Sequence, residues 1–180
     1  MSTSLQELRY KSLLIFRSRF LAQMNPLERI AFLQLCNQRQ YRAGEYIYYQ
    51  GDPGTGMYII ETGVVELVVE AEGLDDAEKP RYRLEAPESF GALSVGYEMR
   101  RMSSAHCVTD CTLYGFFKPD LETLCRRFPK VGIKFLSILN MIALRQLQIT
   151  VNSLVKHTGE SQALALQFET YYTGGLAEKG

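Results

Sequence analysis

Between Gln38 and Lys118, short runs of β-branched and aromatic residues alternate with glycine-bearing turns. The runs are Tyr46–Tyr49, Met57–Ile60, Val64–Val69, Tyr82–Leu84, Ser104–Val108 and Leu113–Phe117. The turns are Ala43-Gly44, Gly51-Asp52-Pro53-Gly54, Thr62-Gly63 and a polar stretch from Glu72 to Pro80. Strands this short, at near-regular spacing, cannot each bury a face alone. They predict an antiparallel β-barrel or jelly roll.

Helical periodicity flanks this zone on both sides. Leu5, Leu8, Leu13, Phe16 and Phe20 recur at helical spacing, and Asn25-Pro26-Leu27-Glu28 restarts a helix that should run to about Cys36. Asn25 suits the N-cap, Pro26 the first helical position, and Glu28 the reciprocal place in a capping box. After the β zone, Lys118-Pro119-Asp120 opens a short helix to Arg127. Pro129 then opens a long one to about His157, with Gly159 as its stop. A further apolar patch, Leu164–Phe168, precedes Gly174-Gly175. The expected class is therefore α+β: an antiparallel β-roll flanked by N-terminal helices and a long C-terminal helix. The expected divisions are a helical extension over residues 1–24, the main domain over 25–157 and a tail over 158–180.

Composition excludes several classes. The chain has 180 residues, is 46% hydrophobic and 22% charged, and balances 20 basic against 20 acidic residues. Such a chain can fill one core without disulfides or metals. No basic excess points to nucleic acid. No apolar run approaches the ~18 residues of a membrane span, and the polar N-terminus lacks the order of a secretory signal. Four cysteines without an export signal are expected to be reduced thiols, so a cytoplasmic location is expected.

The middle of the chain resembles a known family. Residues 41–53, Tyr-Arg-Ala-Gly-Glu-Tyr-Ile-Tyr-Tyr-Gln-Gly-Asp-Pro, followed by Met57-Tyr58-Ile59-Ile60-Glu61-Thr62-Gly63-Val64-Val65, are similar to the cyclic-nucleotide-binding domain. Bacterial catabolite activator proteins and regulatory subunits of the cAMP-dependent protein kinase belong to that family. Gly44, Gly51 and Gly63 fall at its β-roll turns. The resemblance spans about residues 24 to 155, because Phe128-Pro129 and the long helix match the family's C-terminal hinge.

The resemblance implies a ligand site. In the family's phosphate-binding cassette a short helix follows Phe-Gly-Glu, and an arginine nine or ten residues after the Glu meets the cyclic phosphate. Here Phe90, Gly91 and Leu93 fit that pattern, Ser94 follows, and Arg101 takes the arginine's place. A guanidinium offers a planar fork to phosphate, beside amides after Gly91 that also favour anions. Ala92 stands where the family has the Glu that accepts from the ribose 2′-hydroxyl. Losing that charge-assisted bond costs ~1.5–3 kcal/mol, or roughly ten- to a hundred-fold in affinity. Met102, before Ser103, replaces a small or hydroxylated residue and is expected to crowd the phosphate. With Arg100 adjacent and that carboxylate gone, the pocket should be more electropositive and suit another anion. The expected ligand contacts are thus Phe90, Gly91, Ala92, Leu93, Ser94, Arg101, Met102 and Ser103; the alternative is that Arg101 is a surface arginine of a degenerate pocket.

Other chemistry has little support. Cys107 and Cys111, with His106 beside them, raise a metal or haem-thiolate site. On a continuous strand the two thiols would lie roughly 13 Å apart, with His106 on the opposite face, so buried small hydrophobes are the expected reading and no metal is assigned. Neither histidine belongs to a catalytic motif, and no phosphate loop, nucleophile elbow or dinucleotide fingerprint occurs. Asp75, Asp76 and Glu78 are read as solvated loop charge. The expectation is a protein with no catalytic residues and no certain cofactor beyond a cyclic nucleotide as ligand.

On the long helix, Leu136, Asn140, Ala143, Leu147, Val151 and Leu154 form one stripe, and Phe135, Leu139, Ile142 and Ile149 a second. A helix apolar on two sides needs two partners. One is its own barrel. The other is either the same helix of a second subunit, with Asn140 fixing register, or a segment of its own chain. Transcription factors of the family append a DNA-binding domain after this helix; residues 158–180 are too few and not basic, so no direct DNA binding is expected. The sequence thus supports two functions. One is a regulatory sensor that relays a phosphate-bearing ligand through the C-terminal helix to a protein partner. The other is a ligand-free dimerisation or interaction scaffold.

Overall fold

The structure, a computed structural model, describes residues 14, 17–71, 73, 75, 77–97 and 99–158. In chain order its elements are α1 (Pro26–Leu33), β1 (Asn37–Tyr41), β2 (Tyr46–Tyr48), β3 (Gly56–Thr62), β4 (Val64–Val68), β5 (Arg81–Glu85) and β6 (Ser89–Phe90). Then follow α2 (Leu93–Gly96), β7 (Ser104–Cys107), β8 (Cys111–Phe117), α3 (Lys118–Arg127) and α4 (Pro129–Thr158). The strands form two antiparallel four-stranded sheets, ordered β1-β8-β3-β6 and β2-β7-β4-β5. This is the α+β jelly roll that the glycine-punctuated pattern predicts.

Strand alternation builds the interior. On β4, Val65 and Leu67 turn into the roll opposite Cys107 and Ala105 of β7, while Glu66 turns outward opposite His106. Tyr58, Ile60, Phe90, Cys111 and Leu113 complete this core. β3 is buried on both faces: Tyr58 and Ile60 line the roll, and Met57 and Ile59 alternate to its other side, where helices cover it. Four rings form that second layer. Phe32 of α1 lies 4.5 Å from Phe116 of β8 and 5.4 Å from Phe135 of α4, and Phe20 lies 5.6 Å from Phe135.

The helix signals act as expected at their starts. Asn25 Oδ1 accepts from the Glu28 N–H at 3.0 Å, and Glu28 Oε2 accepts from the Asn25 N–H at 2.8 Å. Asp120 Oδ2 accepts from the Phe117 N–H at 2.8 Å where α3 begins. Glu28 also pairs with Lys134 of α4 at 2.6 Å. That bond, then the backbone bond at Asn25, holds its carboxyl below the usual glutamate value.

Several expectations change. α1 ends at Leu33, not Cys36, because Asn37–Tyr41 pairs along β8. That strand and the two-residue β6 carry no hydrophobic run of their own. Cys107 and Cys111 do not share a continuous strand: residues 108–110 turn the chain between β7 and β8, and both side chains enter the same core. Cys111 Sγ donates to the Val64 and Thr109 carbonyls at 3.4 and 3.2 Å, and burial first, then the neighbouring Cys111 thiol, pushes the Cys107 thiol up to about 12.

The chain divides between Leu139 and Asn140 into two compact units. In the first, Val131, Phe135, Ile138 and Leu139 are buried. In the second, Met141, Leu144, Leu147 and Ile149 are 48–64% exposed. Most of the expected N-terminal helix, Gly159 and the Leu164–Phe168 patch lie outside the described residues. Among the described residues no helix is long and apolar enough to cross a membrane.

Candidate ligand-binding site

The site is assembled by the β2–β3 loop. The Gly51 N–H donates to the Arg101 carbonyl at 2.8 Å, the Arg101 N–H to the Asp52 carbonyl at 2.9 Å, and the Gly54 N–H to the Met99 carbonyl at 2.9 Å. These bonds hold residues 99–101 extended, so successive side chains alternate. Arg100 faces out and donates to the Gly51 carbonyl at 2.7 Å. Arg101 faces in and is 6% exposed, whereas Met102 is 78% exposed. Met102 therefore lies at the surface and does not fill the hollow, and Arg101 is not a surface side chain.

Inside, the guanidinium meets three neighbours. Nη2 donates to the Gly56 carbonyl at 2.8 Å. Its carbon lies 4.1 Å from the centre of the Tyr48 ring, within the range of a cation–π contact. Nη1 packs on Gly91, whose φ of +73° and lack of a side chain both permit the approach. Nε and Nη1 are buried and have no hydrogen-bond partner among the described residues.

The rest of the cassette surrounds this point. Phe90 on β6 stacks on Tyr58 at 5.4 Å. Ala92 and Leu93 are half-buried where α2 begins, and Ser94 abuts Gly54, where no Cβ would fit. The N–H groups of Ser94 and Val95 donate to the Gly91 and Ala92 carbonyls at 3.2 Å, so these two amides are used within the turn. Ser103 is half-buried beside the Tyr48 side chain. Burial raises the Tyr48 phenol above its usual value against the pull of Arg101, and burial with Tyr58 beside it pushes Tyr41 up to about 12.

Tyr48 and Gly56 are site residues that the sequence pattern does not reveal. Strict alternation would place Tyr46 and Tyr48 on one face. A bulge in β2 separates them: Ile47 and Tyr48 both pack on the core, while Tyr46 stacks on exposed Tyr49 at 4.5 Å. The one available signal is the run of three tyrosines around Ile47, too many for one buried face.

A second polar cluster lies on the outer face. Glu66 is paired with Arg81 at 2.9 Å and Arg83 at 3.0 Å, with His106 Nε2 3.7 Å away. The bond to Arg81, then that to Arg83, holds the Glu66 carboxyl below its usual value. Among the described residues no group of three or more His, Cys, Asp or Glu side chains is placed to hold a metal ion.

The sequence profile of the cyclic nucleotide-binding domain matches residues 38–128. The chain belongs to that family. It is 34% identical over 107 residues to the cyclic AMP receptor protein of Thermus thermophilus, covering 59% of this chain and 49% of that protein. It is 30% identical over 122 residues to a putative potassium channel protein of Rhodopseudomonas palustris, covering 68% of this chain and 29% of that one. The crystal structure of the Thermus thermophilus catabolite activator protein superposes with a TM-score of 0.63 at 29% identity, over 75% of this chain and 62% of that chain. The chain thus spans about half the length of the first of these relatives and less than a third of the second. What it has in common with them is the regulatory cyclic nucleotide-binding domain.

Proposed function

We propose that this cyclic nucleotide-binding domain is a non-enzymatic sensor that docks a phosphate-bearing ligand, a cyclic nucleotide or another anion, on Arg101. One observation carries the reading. A buried guanidinium with two unpartnered N–H nitrogens costs free energy unless a ligand supplies acceptors. The contacts proposed are Phe90, Gly91, Ala92, Leu93, Ser94 and Ser103 around it. Met102 contributes at the rim only.

Relay runs through α4. A Cβ on Gly96, the last residue of α2, would sit 3.2 Å from Leu139 Cδ1, so movement of the cassette bears on the helix that follows the hinge. A ligand changes α4 only by binding one of its positions better than the other. The exposure of Leu136 and Leu147 supports a homodimer through the stripe Leu136, Asn140, Ala143, Leu147, Val151 and Leu154. Four unpaired cysteines support a cytoplasmic, reducing setting.

Thermal unfolding of the full chain with cyclic AMP, cyclic GMP, a cyclic dinucleotide and inorganic phosphate tests the site. A specific ligand raises the midpoint by mass action, and Arg101→Ala removes the rise. No rise with any of the four leaves the second reading, a degenerate interaction scaffold, which Ala92 favours because it cannot accept the ribose bond.

A further inference from the structure

We propose that Tyr48 is the gate of the Arg101 site: an anion reaches the guanidinium only after the Tyr48 ring has left its face. The inference rests on the sensor reading above and concerns how that site is controlled.

Nε and Nη1 of Arg101 are sealed from solvent, so a ligand cannot touch them in the conformation described. Something beside the guanidinium has to move. Of the three neighbours named above, two are backbone. The Gly56 carbonyl belongs to β3, where Gly56 pairs with Phe117 of β8. Gly91 has no side chain to move and follows directly on β6, whose Phe90 pairs with Tyr58. The Arg101 backbone is tied through its N–H and its carbonyl to Asp52 and Gly51, and its guanidinium is anchored by the Nη2 bond to the Gly56 carbonyl. The third neighbour, Tyr48, is a side chain and can rotate about χ1.

Its position favours that motion. Tyr48 is the last residue of a three-residue strand, and that strand is the edge of its sheet. The bulge beside it loosens the ladder to β7. The ring is half-buried and so already borders solvent. It meets Tyr58 and Phe90 at 6.3 and 6.1 Å between ring centres, toward the far end of the range for ring pairs. In the closed state the ring is a surrogate partner for the cation. The measured affinity is then the affinity of the open site reduced by the fraction of molecules that are open.

The test uses the full chain with two probes, cyclic AMP and inorganic phosphate, read by titration calorimetry. Tyr48→Leu, which cannot cover the guanidinium with a ring, should bind at least one probe about tenfold more tightly than the parent. Tyr48→Phe, which keeps the ring, should stay within about threefold of it. If Tyr48→Leu binds no tighter than the parent while Arg101→Ala abolishes binding, the gate is wrong and the sensor stands. If neither the parent nor Tyr48→Leu binds either probe, the gate fails, and the sensor reading fails with it when cyclic GMP and a cyclic dinucleotide also leave both proteins unbound. A kinetic measurement on the unaltered chain decides the matter should Tyr48→Leu not fold. With a fluorescent cyclic AMP derivative in excess, the observed rate should level off at the rate of ring opening. A rate that climbs linearly with probe to the highest concentration overturns the gate.

Discussion

Gly91 and Arg101 are fitted to each other: Nη1 of the guanidinium lies well inside 3.0 Å of the point that a Cβ at position 91 would occupy, and φ at 91 is +73°. Gly91→Ala is therefore doubly penalised, by strain in the left-handed region and by a clash that turns the guanidinium aside. We expect a loss of about 1–3 kcal/mol in stability and loss of any anion-induced rise in the unfolding midpoint. Urea unfolding with and without ligand measures both.

Arg101 separates stability from function. Its burial leaves two nitrogens unpartnered, and a buried charge is weak support for a fold. Arg101→Met, similar in length and apolar, should unfold within about 1 kcal/mol of the parent and bind no phosphate-bearing ligand. A structural arginine would instead give a large loss of stability on the same urea curve.

The roll and its flanking helices were legible because their signals are local. Asn25, Pro26 and Glu28 carry a complete capping box within four residues, and Gly44, Gly51 and Gly63 all take positive φ where the turns were expected. β1 was not legible. Asn37-Gln38-Arg39-Gln40-Tyr41 is an exposed edge whose pairing with β8 is a tertiary choice. The inward turn of Arg101 follows from bonds to Gly51 and Asp52, nearly 50 residues earlier, and Tyr48 depends on a bulge. Both arise from the pairing of distant segments. Cys107 and Cys111 are buried small hydrophobes, as their setting predicts; only the separation expected on a continuous strand does not apply, because the chain turns at 108–110 between β7 and β8.

Acid should weaken the fold through two carboxylates. Glu66 and Glu28 are held below the ordinary value of 4.5 by Arg81 and Lys134 respectively. A depressed carboxyl stabilises the folded chain fully above the unfolded value, and that contribution disappears as pH falls through the folded one. Stability should therefore be level above about pH 5 and decline below 4.5. Because Arg83 is 67% and Arg81 33% exposed, each pair contributes no more than about 1 kcal/mol. Urea unfolding between pH 3 and 7 should show a flatter acid limb for Glu28→Gln/Glu66→Gln than for the parent.

The helix-side core depends on Phe135. Its ring lies within 5.1–5.6 Å of Phe116, Phe32 and Phe20, and it is fully buried. It joins α4 to α1 and β8. Phe135→Ala removes that ring and leaves a cavity, so the loss should be about 3–5 kcal/mol, readable as a lower urea midpoint.

The second unit makes the prediction about assembly. Leu147 is 48% exposed, and Leu144 and Met141 on the preceding turns are 64% and 53% exposed. Residues 140, 143, 147, 151 and 154 recur at spacings of three and four, the spacing of a two-helix seam. A glutamate in the middle of such a seam would put two like charges opposite each other in a dry interface. Leu147→Glu should therefore weaken self-association by at least about 2 kcal/mol, about thirtyfold in the dimer dissociation constant. Sedimentation equilibrium should find the parent dimeric and the variant monomeric at micromolar concentration. Unchanged dimerisation would place the contact on another surface and take the proposed dimer away from α4.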